Sequence, residues 1–281
     1  STPELNRPNN KVLIPVANPE TVIPLLDMAG FARPTDSKEP IYALSVVLDN
    51  DEARQNVLLN KRLLENAEKY AAAMDQKVEV VSRVDLSVAS GIKRAIKELN
   101  INMVVMGWSP KLSARDRLFG SVLDNMLMGN GQLILVCHFV VPINTIGRIV
   151  VSMPPNAQWE PGFEPWINTL KNVVKQTGAK VLVNGDESSL REFQAMNKKK
   201  KPFIDANYHE TNDYFEILMK PDEIGESDLL FLLQSRPGFI SHMSNMDLVP
   251  RKMVKNFQEK NFVIVYPEQV QTNANWQHVY T

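Results

Sequence analysis

Cysteine is nearly absent from this 281-residue sequence, and Cys137 is its one example. A single thiol makes no intrachain disulfide and no thiolate metal cluster, so a reducing compartment is the default. Long apolar runs are missing too. No window approaches the roughly 18 apolar residues that a membrane-spanning helix needs, and the polar start, residues 1–10, lacks the apolar core of a secretory signal. As given, the polypeptide is expected neither to span a membrane nor to be exported. Charge of one sign is absent as well: 31 Lys plus Arg oppose 32 Asp plus Glu, and the first 145 residues carry 16 basic and 16 acidic groups. Neither half is a module for nucleic acid or an anionic membrane surface.

What is present is an ordinary globular composition, 44% hydrophobic and 22% charged, which excludes wholesale disorder and fibrous repeats. The length suits about two domains of roughly 150 residues. The first half alternates short apolar runs with amphipathic stretches. Strands are expected at 12–16, 41–48, 77–84, 101–106 and 133–141. Helices are expected after Pro19 as far as Gly30, then at 52–74, 87–99 and 121–128. Apolar strands separated by helices imply a parallel sheet covered on both faces by right-handed crossovers. Met103, Met126 and Met128 are expected in the core.

The second half begins the pattern again, with strands expected at 148–152, 179–184, 203–208, 228–233 and 262–266 and helices at 159–174, 188–196 and 251–258. This is a degenerate duplication with an offset of roughly 130 residues. Its least regular part is 210–226. The expected organisation is a linker over 1–10, an α/β domain over 11–143, a second over 144–268 and a polar tail over 269–281. The fifth strand of each copy would be an edge strand, to be paired within the chain or across a homodimer. The run Lys198 to Lys201 is read as a solvated helix end, where cations suit the helix dipole.

Catalytic constellations are missing. His138, His209, His242 and His278 stand apart with no metal-ligand spacing, and neither a GxSxG elbow nor a Walker A loop occurs. The chain is not expected to be an enzyme. One loop could carry chemistry: Met106-Gly107-Trp108-Ser109-Pro110, nine residues, then Gly120-Ser121-Val122. It leaves the carboxyl end of the fourth strand, the side on which open parallel sheets bind ligands. Gly107 permits close backbone approach, and Gly120 with Ser121 would open a helix whose free N–H groups cradle phosphate. Ser121 followed by Asp124 also fits a capping box, which explains the same residues without a ligand. The charged triplet Arg115-Asp116-Arg117 would suit a weak ATPase, but surface charge explains it and no general base accompanies it.

The spacing Gly107-x2-Pro110-x9-Gly120-Ser121 resembles the nucleotide loop of the universal stress protein family, G-x2-G-x9-G-[ST], with Pro110 in place of the second glycine. The resemblance implies a tandem pair of five-stranded α/β domains of that fold, with Gly107, Gly120, Ser121 and Val122 holding ATP or another adenine nucleotide. Nucleotide-binding members end the first strand in an acidic residue, and that position falls at Ala17 here. Ala17 removes an acceptor, while Pro110 offers no N–H and stiffens the loop, so both weaken such a site. The matching loop of the second copy, from Gln234 to Pro250, lacks the Gly-Ser pair and carries Asp247, which would repel an anion. Val12-Leu-Ile-Pro-Val-Ala-Asn-Pro-Glu-Thr, Asp116-Arg-Leu-Phe-Gly-Ser, Trp159-Glu-Pro-Gly-Phe and Val263-Ile-Val-Tyr-Pro-Glu-Gln resemble the cytoplasmic C-terminal region of bacterial sodium/proton antiporters. That likeness implies a regulatory domain at the cytoplasmic face of the inner membrane, with a transmembrane antiporter domain of the same polypeptide as its partner. A free-standing cytosolic stress protein binding an adenine nucleotide is the alternative.

Overall fold

A strand that is apolar on both faces needs cover on both, and the chain supplies helices to each side of its sheet. The protein was examined as a computed structural model, which describes residues 10–16, 21–108 and 114–269. In the first half, β1 (Val12–Pro15), β2 (Ile41–Leu48), β3 (Val78–Asp85), β4 (Met103–Gly107) and β5 (Leu133–His138) alternate with α1 (Val22–Ala32), α2 (Ala53–Ala73), α3 (Val88–Leu99) and α4 (Ala114–Gly129). The second half contributes β6 (Arg148–Ser152), β7 (Lys180–Gly185), β8 (Ala206–Glu210), β9 (Asp228–Leu233) and β10 (Asn261–Tyr266), with α5 (Phe163–Thr177), α6 (Glu187–Lys199) and α7 (Val249–Asn256).

The two halves share one topology. Strand order along the sheet is β3-β2-β1-β4-β5-β10-β9-β6-β7-β8, so each half is a five-stranded parallel sheet built outward from its first strand. The two sheets are one: β5 and β10 pair antiparallel, Phe262 opposite His138 and Tyr266 opposite Ile134. The fifth strands therefore lie at the centre, and β3 and β8 are the edges. Side chains alternate across the sheet. Val12 and Ile14 join α1, α2, α5 and α6 in one buried cluster, while Leu13 joins α3, α4 and α7 in the other.

Several elements differ from the expectations. The strand expected over 133–141 stops at His138, because the side chain of Asn261 takes over the next backbone groups. The helix expected from 159 starts at Phe163, after the Pro161-Gly162 pair and a 3₁₀ turn at Ala157–Trp159. The strand expected over 203–208 lies at Ala206–Glu210, beyond Pro202. Met103 and Met126 are buried, but Met128 is 50% exposed on the outer side of α4. The irregular stretch between β8 and β9 makes no α-helix. Two 3₁₀ turns, Ile217–Met219 and Pro221–Glu223, let Tyr214, Ile217, Leu218 and Ile224 fill the core where the first half uses α3. Ala17 and Pro110, along with the tail from Val270 through Trp276 to Tyr280, lie outside the described residues.

The central seam is closed by side chains bonding to backbone. Asn261 is fully buried; its Oδ1 accepts from the N–H groups of Val140 (2.8 Å) and Val141 (3.1 Å), and its Nδ2 donates to the carbonyls of Glu226 (3.0 Å) and Asp228 (3.1 Å). On the α1 face, Asn172 donates to Ala32 O at 3.0 Å, and Gln176 donates to Gly30 O and Phe31 O at 3.3 and 3.2 Å. Asn261→Ala would leave two N–H and two C=O groups without their partner. With partial rehydration, urea unfolding should show a loss of about 2–5 kcal/mol at unchanged m-value. A loss under about 0.5 kcal/mol would mean that Asn261 does not hold the seam.

Candidate functional site

In a sheet of this order the chain reverses its direction of growth between β1 and β4, which are hydrogen-bonded neighbours with Val12 opposite Met103. The crevice outside the carboxyl ends of these strands is where such sheets take ligands. Gly107 is the last residue of β4. Among the described residues a Cβ there would meet only Leu25 Cδ1 at 3.6 Å, an ordinary contact, so none of those residues demands glycine. The next residue, Trp108, donates its N–H to Cys137 O at 2.7 Å and sets its ring edge-on to Phe262 of the second half, centroids 6.0 Å apart. The loop thus begins against the other repeat.

The helix that follows starts earlier than the sequence pattern suggests. It begins at Ala114, which places Gly120 and Ser121 at its seventh and eighth residues rather than at its start. A lone glycine costs a helix about 1 kcal/mol, too little to end one among good helix formers. Interior N–H groups bond to carbonyls four residues back, and the free ones belong to the first turn. Gly120 and Ser121 therefore lie within the helix and not at its start. Val122 is buried in the core beside Leu123 and Met126. Arg115, Asp116 and Arg117 lie in the first turn of α4, and residues 109–113 lie outside the described residues.

At the carboxyl end of the second half the equivalent loop is occupied by the protein itself. Glu160, 4% exposed, accepts from Ser235 Oγ (3.3 Å), Ser241 N (3.0 Å) and Ser241 Oγ (2.6 Å) through Oε1, and from Gln269 Nε2 (2.7 Å) through Oε2. An internal carboxylate takes the donors that the loop after β9 would offer an anion. Beside it Arg236, 1% exposed, donates to Pro267 O and, at 2.6 Å, to Gln132 O of the first half. Burial pushes its guanidinium down to about 10, against the opposing pull of Tyr266, Glu160 and Glu268. Gly162 is required here: a Cβ would stand 2.3 Å from Glu268 N and 2.4 Å from Glu268 O. On the other side of the crevice Tyr214 is buried and donates its hydroxyl to Leu233 O, while Ser152 Oγ donates to Tyr214 O at 3.4 Å. Glu160, Ser241, Gln269 and Tyr214 were not picked out by sequence reasoning. Their bonds span 19 to 109 residues, which no local pattern reports.

The remaining polar candidates are structural. His138 Nε2 is 2.8 Å from Gln258 O and its ring lies against Phe262. Lys198 and Lys199 close the last turn of α6, Lys199 pairing with Glu164 at 3.0 Å. Among the described residues no group of three His, Cys, Asp or Glu is placed to hold a metal, and no helix is long and apolar enough to cross a membrane.

Comparison with known proteins agrees with this architecture. Residues 9–129 match the universal stress protein family. The Na(+)/H(+) antiporter NhaS5 of Synechocystis sp. is 29% identical over 125 residues, 41% of this chain and 17% of that protein, so the match spans a minor part of the antiporter's length. Among solved structures, a universal stress protein from Archaeoglobus fulgidus superposes with a TM-score of 0.62 at 17% identity, over 92% of this chain and 97% of that one. The cytoplasmic domain of a prokaryotic cation chloride cotransporter does so with a TM-score of 0.57 at 10% identity, over 92% and 95%. At such identities the two structures establish the fold alone. Residues 9–129 are thus similar to the universal stress protein family, and the fold of residues beyond them is shared with both solved structures.

The Glu160 cluster makes its own prediction. Glu160→Gln keeps the shape but weakens charge-assisted bonds to two serines, and should lower stability by about 1.5–3 kcal/mol in thermal or urea unfolding. Combined with Ser241→Ala the loss should be clearly less than the sum, since both changes remove the same bonds. Strict additivity would show that the two residues are not coupled.

Proposed function

We propose that this chain is a regulatory module at the cytoplasmic face of a cation:proton antiporter, joined to a transmembrane domain of the same polypeptide and without catalytic activity of its own. The observation that carries the reading is the sequence match to a sodium/proton antiporter. The fold shared with a cotransporter cytoplasmic domain is compatible with it. The mechanism is linkage: a ligand or partner that prefers one arrangement of the module shifts the transporter by its differential affinity and no more. The seam supplies the route. Trp108 opens the ligand-side loop of the first half and packs on Phe262 of the second, so an event at that loop reaches the pairing of the halves.

Nucleotide sensing by the first repeat is the second reading, with ATP or another adenine nucleotide held by Gly107, Gly120, Ser121 and Val122. It is favoured by the position of Gly107 at the switch point, where none of the described residues demands glycine. It is disfavoured by the start of α4 at Ala114, which leaves the free N–H groups at 114–117. The second repeat, closed by Glu160, is assigned no nucleotide.

Antiport measured in membrane vesicles, with the whole transporter and with residues 10–269 deleted, tests the first reading. The deletion should change the pH profile or effector response by a factor in the range of about 5–150, the usual size of allosteric coupling. Identical rates, profiles and responses would refute regulation. Calorimetry of this chain with ATP, ADP and AMP tests the second. Saturable heat that is lost on Gly107→Trp supports a site in the first repeat, and no heat with any of the three rejects it.

A further inference from the structure

A cavity lies apart from the Glu160 crevice and shares no lining residue with it. It is a cleft of about 480 Å³ on the α1 face, where α1, α2 and the segment after β5 meet. A smaller chamber of about 130 Å³ continues it inward and shares Asp27, Phe31, Tyr70 and Met74 with it. The combined size lies within the range of small-molecule sites. Its walls are apolar: Ile23, Pro24 and Phe31 on one side, Met74 on another, and the run 139–142 opposite. Ile23, Met74 and Val140 at the mouth are 37, 54 and 43% exposed, so the cleft is open to solvent and lined with uncovered hydrocarbon.

One charge interrupts that lining. Asp27 is the one carboxylate among the described residues that line either chamber, and its Oδ1 accepts from Tyr70 OH at 2.7 Å. Among the described residues no Lys, Arg or His lines the cleft, and Arg33 is turned to Glu39 O and Gln76 Oε1. A carboxylate with one neutral donor and no countercharge is under-compensated, and burial accordingly pushes the Asp27 carboxyl up. The same burial and its bond to Asp27 push Tyr70 to about 12, so Tyr70 stays a neutral donor.

We propose that this cleft binds a small amphipathic organic cation, its ammonium group on Asp27 and its apolar body between Pro24 and the Phe139–Val141–Pro142 wall. The chemistry selects the class. An apolar body removes exposed hydrocarbon from water, an ammonium supplies the missing countercharge, and an anionic ligand of the same shape would be repelled by Asp27. The site is separate from the nucleotide loop and from the transporter reading. It lies beside the seam, with Gln176 of α5 lining the inner chamber and bonding to the backbone of α1.

Calorimetry of the whole chain at pH 7 with octylamine, octan-1-ol and octanoate tests it. Octylamine should bind saturably, octanol about tenfold or more weakly, and octanoate not at all. Asp27→Asn should bring the amine to the affinity of the alcohol. The variant keeps an oxygen for Tyr70 and removes an ionisation that burial disfavours, so it should fold. In the unmutated chain, methyl NMR signals of Ile23, Met74 and Val140 should shift with octylamine, and signals at the Glu160 cluster should not. Equal binding of octylamine and octanoate, an amine affinity unchanged by Asp27→Asn, or no saturable octylamine binding would each overturn the proposal.

Discussion

The antiparallel register of β5 on β10 is the constraint from which the rest of the molecule follows. Each half is a parallel sheet that would otherwise end in a buried-type strand with one naked edge, since Leu133–His138 and Asn261–Tyr266 are apolar and nearly fully covered. An open edge of that kind invites uncontrolled pairing, and joining the two removes both hazards at once. The remaining edges are safer. β8 is short and exposed, with His209 and Glu210 outward, and β3 carries Glu79 and Arg83. Because the join is antiparallel, all strands of one half run opposite to all strands of the other. The ligand-side ends of the first repeat therefore adjoin the starts of the strands of the second, and the reverse. This is why Trp108 meets Phe262 on one side and Arg236 reaches Gln132 on the other.

The two carboxyl-end crevices have diverged under that arrangement. In the second, Glu160 satisfies donors of the loop after β9, and Gln269 ties the end of β10 to it and to Gly131 O at 2.7 Å. Buried charges persist where they are hydrogen-bonded, and here a carboxylate with four bonds lies near a guanidinium with two. Such a cluster holds its loop in one geometry, which suits a fixed joint better than a site that must exchange ligands. Tyr214 closes the opposite wall. No comparable internal carboxylate stands at the first crevice among the described residues.

The sequence was legible where one physical signal dominated. Runs of five to nine residues marked all ten strands to within a few residues, most clearly in the central strands, where burial on both faces leaves little freedom of composition. The order of strands and helices then followed from the handedness of parallel crossovers. It was illegible where two weak signals competed. The start of α4 was set too late because Gly120-Ser121 looks like a helix beginning, whereas the propensity of residues 114–119 carries the helix through. The stretch 210–226 has apolar residues at 214, 217 and 218, a helical spacing cut short by Pro221, and folds as 3₁₀ turns that fill the core. Glu160 was missed for a different reason. Its partners, Ser235, Ser241 and Gln269, are 75 to 109 residues away, and no local pattern reports a bond of that span.

Those long-range bonds also bound what the module can transmit. A rigid double sheet of this kind offers few soft modes within each half, because the strands are buried on both sides and interiors are close-packed. The compliant parts are the contacts across the seam: Asn172 and Gln176 on α1, Asn261 under residues 140–141, and the Trp108–Phe262 edge. Each hydrogen bond or ring contact among them is worth on the order of 1 kcal/mol, and Asn261, with four bonds, holds the most. Under the proposed regulatory reading, the signal is a small change in how the halves meet, limited to the energy of a few such contacts. That limit is close to the few kcal/mol by which allosteric equilibria are ordinarily shifted, so the seam is strong enough to hold the molecule together and weak enough to be biased.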